Sequence, residues 1–253
     1  MADLELSIEG RVARLLFNRP AVLNALSPSL LIELIARCQE LSANASVSVV
    51  VVEGANGSFS AGADLPAFFS KLTGSDRAET ADLGRRSALA LAELPQVTVA
   101  VIDGHCVGGG VVLAGACDIR IAKEGARFVV PELDAGIPLA WGGTENLVRL
   151  VGETVAADWI LSCRPITPEE ALRVGFVSRV VPTAQWRGEV EGLVDALARK
   201  PLGVLRFTKQ QLRAVREGSF DARRDADALL EALNDPEALE TAQKYIAGTI
   251  RKG

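Results

Sequence analysis

The stretch that decides the fold runs Val97-Thr98-Val99-Ala100-Val101-Ile102, then Asp103-Gly104-His105-Cys106-Val107-Gly108-Gly109-Gly110, then Val111-Val112-Leu113-Ala114-Gly115-Ala116. A continuous, largely β-branched run without polar alternation fits a strand covered on both faces. The glycine-rich turn and the apolar run after it read as the entry to a helix, and another short strand is expected around Asp118 to Ala122. A second buried run, Val47 to Val52, is likewise followed by a small-residue loop, Phe59 to Leu65, leading into a helix. Strands alternating with helices in this way make an α/β chain.

Working outward, Leu4 to Glu9 and Val12 to Phe17 are split by Glu9-Gly10 and read as an opening hairpin. Ser27 is an N-cap with Pro28 at the first helical position, and Leu30, Leu31, Leu34, Ile35 and Cys38 repeat at helical spacing. A helical region is expected from about Arg77 to Leu94, one more strand at Arg127 to Val130, and mainly helix from Gly142 onward. That last part is interrupted by a strand at Phe176 to Val181, with Pro182 opening the final helices. No internal repeat or low-complexity linker interrupts the chain. Residues 1–185 therefore read as the α/β core and residues 186–253 as a helical region packed on it.

The sequence has 253 residues, 49% of them hydrophobic and 23% charged, with a net charge of −5, the composition of a soluble globular chain and a poor match to nucleic acid. A single histidine, His105, excludes zinc sites built on two or three histidines. Cys38, Cys106, Cys117 and Cys163 form no CxxC pair and read as reduced core residues. The opening Met-Ala-Asp-Leu-Glu-Leu-Ser lacks a basic region before an apolar stretch, and no apolar run is long enough to span a membrane. A cytoplasmic protein with no membrane partner is expected.

Each glycine in a helix costs about 1 kcal/mol relative to alanine, so Gly108-Gly109-Gly110 needs a physical reason. One reason is that the first turn of a helix carries unpaired N–H groups, and bare backbone there opens them to an anionic oxygen. The other is tight packing of helix against strand. The spacing is not GxGxxG and no P-loop lysine follows, so a nucleotide site is the weaker reading. Phe59-Ser60-Ala61-Gly62-Ala63-Asp64-Leu65 could be a plain turn with Asp64 as helix N-cap. If adjacent parallel strands deliver both loops, one N–H from each could instead converge on a single carbonyl oxygen.

These residues resemble the enoyl-CoA hydratase/isomerase, or crotonase, superfamily over nearly the whole chain. The resemblance rests on Asn18-Arg19-Pro20-Ala21-Val22-Leu23-Asn24-Ala25-Leu26, on Ser60-Ala61-Gly62-Ala63-Asp64-Leu65, and on Gly104-His105-Cys106-Val107-Gly108-Gly109-Gly110. Phe128-Val129-Val130-Pro131-Glu132 leading to Trp141-Gly142-Gly143-Thr144, and Ala171 to Val177, continue the order. The resemblance implies a spiral of ββα units with a helical C-terminal trimerisation region, acting on an acyl-CoA thioester as a homotrimer or homohexamer. It makes the backbone N–H groups of Ala63 and Gly109 the oxyanion donors and Glu132 the acid/base. It places Val22, Leu23, Ala61, Asp64, Gly108, Val112 and Trp141 along the substrate. It implies no cofactor, coenzyme A being part of the substrate, and no metal.

Two departures from the family pattern bear on the reaction. Hydratases of the family carry a second glutamate two positions after the glycine triplet, where this chain has Val112, while one glutamate suffices to move a proton between C2 and C4 of an enoyl thioester. Double-bond isomerisation is therefore favoured over hydration. The family's Pro-Gly after Gly136-Ile137 is replaced by Leu139-Ala140 before Trp141, which alters the loop by the acyl pocket. Ala21 stands where the family often has a lysine, so Arg206, Lys209, Arg213 and Arg216, at helical spacing, are candidates for CoA phosphate contacts or else a solvated basic face. Asp134 could be a second polar group at the site or a turn cap, and His105 could be catalytic or a satisfied structural histidine. A non-catalytic acyl-CoA binder, or a hydrolase using Ser60 or Cys106, are the rival classes.

Overall fold

The computed structural model describes residues 2–72 and 76–250, without the side chains of 248–250. Strands β1 (Leu4–Glu9) and β2 (Val12–Phe17) form the antiparallel hairpin, turning at Gly10 with φ +57°. They join β3 (Val49–Gly54), β4 (Val97–Ile102), β6 (Ile119–Lys123) and β8 (Arg179–Val181) in a six-stranded sheet of order β1-β2-β3-β4-β6-β8, parallel beyond the hairpin. A second, two-stranded parallel sheet pairs β5 (His105–Val107) with β7 (Arg127–Val129).

Why the valine runs are unbroken follows from the core. Val50 and Val52 face one apolar cluster with Leu30, Leu31 and Leu34, whereas Val49, Val51, Val97, Val99 and Val101 face another with Val190, Leu193 and Val194. Each face of the sheet is covered, so alternation would place a polar side chain in a core. Every residue of α1 (Pro28–Ala43) predicted to face inward except Ile35 is buried, and the Ser27 side chain accepts from Leu30 N as its N-cap. The chain then runs through α2 (Leu65–Lys71), α3 (Arg77–Ala92) and α4 (Gly109–Ala116), and on to α5 (Gly143–Val151), α6 (Glu153–Ser162) and α7 (Pro168–Arg173). The final helices are α8 (Trp186–Ala198), α9 (Leu202–Arg216), α10 (Asp225–Asn234) and α11 (Pro236–Ile250).

Helix α4 is buried along its full length, the signature of a core helix. At its C-terminus the buried Arg120 donates to Cys117 O at 2.6 Å and to Phe176 O, placing a cation where the helix dipole is negative. Several predicted boundaries shift by a residue or two, and one moves further: the strand expected over Phe176 to Val181 is confined to Arg179–Val181. Gly175, with φ +82°, closes α7, and Phe176 N donates back to Ala171 O at 2.8 Å, so Phe176 belongs to a helix cap and buries its ring against Trp159 and Phe128.

Candidate active site

Two loops meet where the sheets adjoin. Leu26 and Ala63 form a parallel bridge in which Leu26 N donates to Gly62 O and Asp64 N donates to Leu26 O. In that pattern the bonds belong to the residues flanking Ala63, so Ala63's own N–H points to the other side. A parallel bridge between Ser60 and Cys106 then lays this loop against the glycine-rich one. A Cβ built on Gly62 would stand 3.6 Å from Gly109 N and 2.8 Å from Val107 O, a measure of how closely the two backbones approach. Among the described residues neither Ala63 N–H nor Gly109 N–H has an acceptor. Two free amides from two loops, one of them at a helix N-terminus, can stabilise one developing oxyanion.

Each glycine of the triplet has its own neighbour. Gly108 has φ +50° and ψ −115°, a conformation only glycine adopts readily, and a Cβ there would sit 2.6 Å from Glu132 Oε1. At Gly109 a Cβ would stand only 2.2 Å from Trp141 Cζ3, and at Gly110 it would stand 3.0 Å from Ser60 Cβ. Close packing and bare backbone at a site are thus the same fact.

Glu132 reaches this place through β7. Gly108 N donates to Val129 O at 2.8 Å, which fixes the end of β7 beside the triplet, and a tight turn after Pro131 returns Ile137 N to Glu132 O at 3.0 Å. Glu132 is half-buried with its Oε2 fully buried and without a partner, and burial raises its pKa above the ordinary carboxylate value. A carboxylate so placed is a stronger base than one in water, suited to taking a proton from carbon.

The cavity over these groups measures about 180 Å³ and is lined by Ala63, Gly109, Val112, Glu132 and Trp141 together with Leu65, Phe68, Phe69, Leu72, Ala81 and Ile137 to Ala140. Among the described residues Glu132 is its sole ionisable lining residue. Asp134 is exposed on the turn, and neither it nor His105 lines the cavity. Val112 is 3% exposed and offers only methyl groups. Val22 and Leu23 lie exposed at 45% and 44% beside Ala61, whose N donates to Leu23 O at 2.8 Å, so the apolar pair and that backbone form one continuous strip. Asp64 is engaged otherwise: Oδ1 caps α2 through Ala67 N, and Oδ2 pairs with Arg19 at 3.0 Å.

Of the basic residues considered for CoA phosphates, Arg206, Lys209 and Arg213 are engaged within the chain, whereas Arg216 is exposed at the rim of a cleft beside Arg149. Lys209 is buried, 2.7 Å from Asp118 and from Gln96 O, Arg206 donates to the carbonyls of Asn44, Ala45 and Val47, and Arg213 pairs with Glu93 and Glu217. Helical spacing reported a shared face, but its Arg206 and Lys209 pack on the β3–β4 side of the core. The hydrolase reading fails: Ser60 Oγ donates to Asn24 O at 2.9 Å and accepts from Gly62 N, and burial pushes the Cys106 thiol far up, away from thiolate.

Trp141 is the feature sequence reading undervalued. Its φ of +60° is an outlier for a bulky residue, costing on the order of 1–3 kcal/mol, and Gly142 follows at +75°. Phe68 and Phe69, on the short helix α2, gave no signal because α2 is too brief for periodicity to reveal a face.

The chain matches known proteins over most of its length. Residues 7–244 match the family model described as enoyl-CoA hydratase/isomerase. The chain is 35% identical over 240 residues to 2,3-dehydroadipyl-CoA hydratase of Escherichia coli, covering 93% of this chain and 92% of the relative. The crystal structure of an enoyl-CoA hydratase from Bacillus anthracis superposes with a TM-score of 0.89 at 27% identity, covering 98% and 97% of the two chains. A Thermobifida fusca protein solved in complex with acetoacetyl-CoA superposes with a TM-score of 0.84 at 31% identity, covering 92% and 95%.

Proposed function

The chain belongs to the enoyl-CoA hydratase/isomerase family of acyl-CoA enzymes, and from that premise we propose that it shifts the double bond of an enoyl-CoA through a thioester enolate, with Glu132 as its single acid/base. The observation that carries this reading is that, among the described residues, the cavity holds one ionisable side chain. The thioester oxygen of a 3-enoyl-CoA accepts from Ala63 N–H and Gly109 N–H, Glu132 takes a proton from C2, and the electron pair delocalises onto that oxygen. Glu132 then returns the proton at C4, leaving the double bond between C2 and C3. Each oxyanion donor is typically worth about 2.7–4 kcal/mol, because it is already oriented where charge develops.

Val22, Leu23 and the backbone at Ala61 supply an apolar strip for the pantetheine arm. The route uses no group beyond this chain and the substrate's own CoA. Exposed Leu229, Leu230 and Leu233 on α10 support assembly into a homotrimer or homohexamer through the C-terminal helices.

Hydration is the second reading, favoured by the hydratase names of relatives such as the Escherichia coli enzyme. It would require Glu132 alone, or Glu132 with a backbone-held water, to do the work for which the family resemblance implies two carboxylates. The deciding experiment incubates the protein separately with crotonyl-CoA and with a 3-enoyl-CoA while following enoyl-thioester absorbance. A gain with the second supports isomerisation, a loss with the first supports hydration, and silence with both supports a non-catalytic acyl-CoA binder.

A further inference from the structure

Trp141 belongs to two cavities at once. Its indole lines the cavity over Glu132 and also the adjoining cleft of about 500 Å³, floored by Ala88, Leu89 and Ala92 of α3 and edged by Arg149 and Arg216. The ring is wedged in place: a Cβ on Gly84 of α3 or on Gly109 of α4 would overlap it, and Phe68 meets it at 5.7 Å between ring centroids, tilted 41°. Two glycines on different helices leave room for this one side chain, and the backbone carrying it adopts a left-handed conformation to deliver it. An arrangement whose only product were core packing would be obtained more simply with a larger residue at Gly84.

We propose that Trp141 is the specificity-determining wall that restricts this enzyme to short apolar acyl chains by closing the acyl cavity against the cleft behind it. This rests on the acyl-CoA reading of the site. The space of about 180 Å³ over Glu132 is small and ends on the indole, so the ring limits how long an acyl chain it takes. Beyond the indole, Ala88, Leu89 and Ala92 give the cleft an apolar patch among the charged Arg85, Glu145, Arg149, Arg216 and Glu217, and removing the ring would open the acyl cavity onto that patch.

The test measures binding of saturated butyryl-, hexanoyl-, octanoyl- and decanoyl-CoA by calorimetry, since these ligands cannot turn over. In the native protein affinity rises about fourfold per buried methylene over the shorter chains and then levels off before decanoyl. In Trp141→Ala the rise continues, so that decanoyl-CoA binds at least about tenfold tighter than to the native protein, while Trp141→Phe, which keeps a ring in place, retains the native plateau. Should the Ala variant fail to fold, Trp141→Leu, which keeps apolar contact with Gly84 and Gly109, takes its place with the same expected rise. A native protein whose affinity climbs uninterrupted to decanoyl, or a folded Ala or Leu variant that keeps the plateau, overturns the proposal. No binding of butyryl-CoA to the native protein would instead refute the acyl-CoA reading on which it stands.

Discussion

Glu132→Gln keeps the shape of the side chain and removes its capacity to accept a proton. A positioned carboxylate contributes roughly 10²- to 10⁴-fold to a proton transfer, which at about 1.36 kcal/mol per decade is about 2.7–5.4 kcal/mol of barrier. Turnover of a 3-enoyl-CoA is therefore expected to fall by at least about a hundredfold, while butyryl-CoA affinity changes little because the amide donors at Ala63 and Gly109 are untouched. The same change acts on stability in the opposite direction. Oε2 is buried without a partner, and burial raises the carboxyl pKa in the folded chain above its unfolded value of about 4.3. Between those two values the native state holds a proton that the unfolded state has lost. Native stability thus declines as pH rises through the folded pKa, and the contribution is fully present only below the unfolded one. Gln carries no such titration, so the variant gains on the parent in alkaline buffer and the gap narrows in acid. Leaving a buried polar group unpaired costs about 1–3 kcal/mol, and because the amide is also unpaired there the lower end applies, a rise in Tm of about 2–4 °C for a chain of this size. Steady-state assays, calorimetry and thermal melts across pH read all three. Retention of more than about a tenth of the activity would remove Glu132 from the mechanism, and a melting difference independent of pH would refute the assignment of its burial.

Gly108→Ala places a Cβ 2.6 Å from Glu132 Oε1 on a backbone with φ +50°; it should lower Tm and, since displacing a reacting group by about 1 Å can cost ~10²-fold, reduce kcat well over tenfold with KM nearly unchanged, and a fully active variant would show that the carboxylate does not depend on this contact. Val112→Glu is expected to introduce crotonyl-CoA hydration, a modest gain with lowered stability, because Val112 Cγ2 already lies 2.7 Å from where a Cβ on Gly143 would stand and overpacking costs about 1–3 kcal/mol. Efficient hydration by the native protein would sink the argument from Val112. The kcat/KM profile for isomerisation should fall on acidification through a pKa above the ordinary carboxylate value of about 4.3, since burial raises Glu132 and the base must be ionised; activity undiminished down to that ordinary value would contradict the burial seen in the structure.

Short-range chemistry was legible in the residues alone. The Ser27 cap with Pro28, the two valine runs and the glycine turn after Ile102 depend on spacings of a few residues, and the structure has α1, β3 and β4 there, with β3 displaced to Val49–Gly54 from the expected Val47 to Val52. That residue 112 is valine, so that a second carboxylate is missing at that position, is a fact of sequence that no folding alters. What sequence could not decide is which groups meet. The approach of the Ala63 and Gly109 amides depends on bridges between Leu26 and Ala63 and between Ser60 and Cys106, partners separated by 37 and 46 positions in the chain. The fate of the basic residues on α9 was equally hidden, because helical spacing identifies a face but not what covers it: Lys209 lies buried against Asp118. Trp141 could be quoted from the sequence as a departure in a loop, yet its position between two cavities exists only because Gly84 and Gly109, on separate helices, leave the same space empty. Periodicity, capping and turn chemistry act along the chain, whereas convergence is set by long-range strand pairing and close packing, and only the folded molecule contains those.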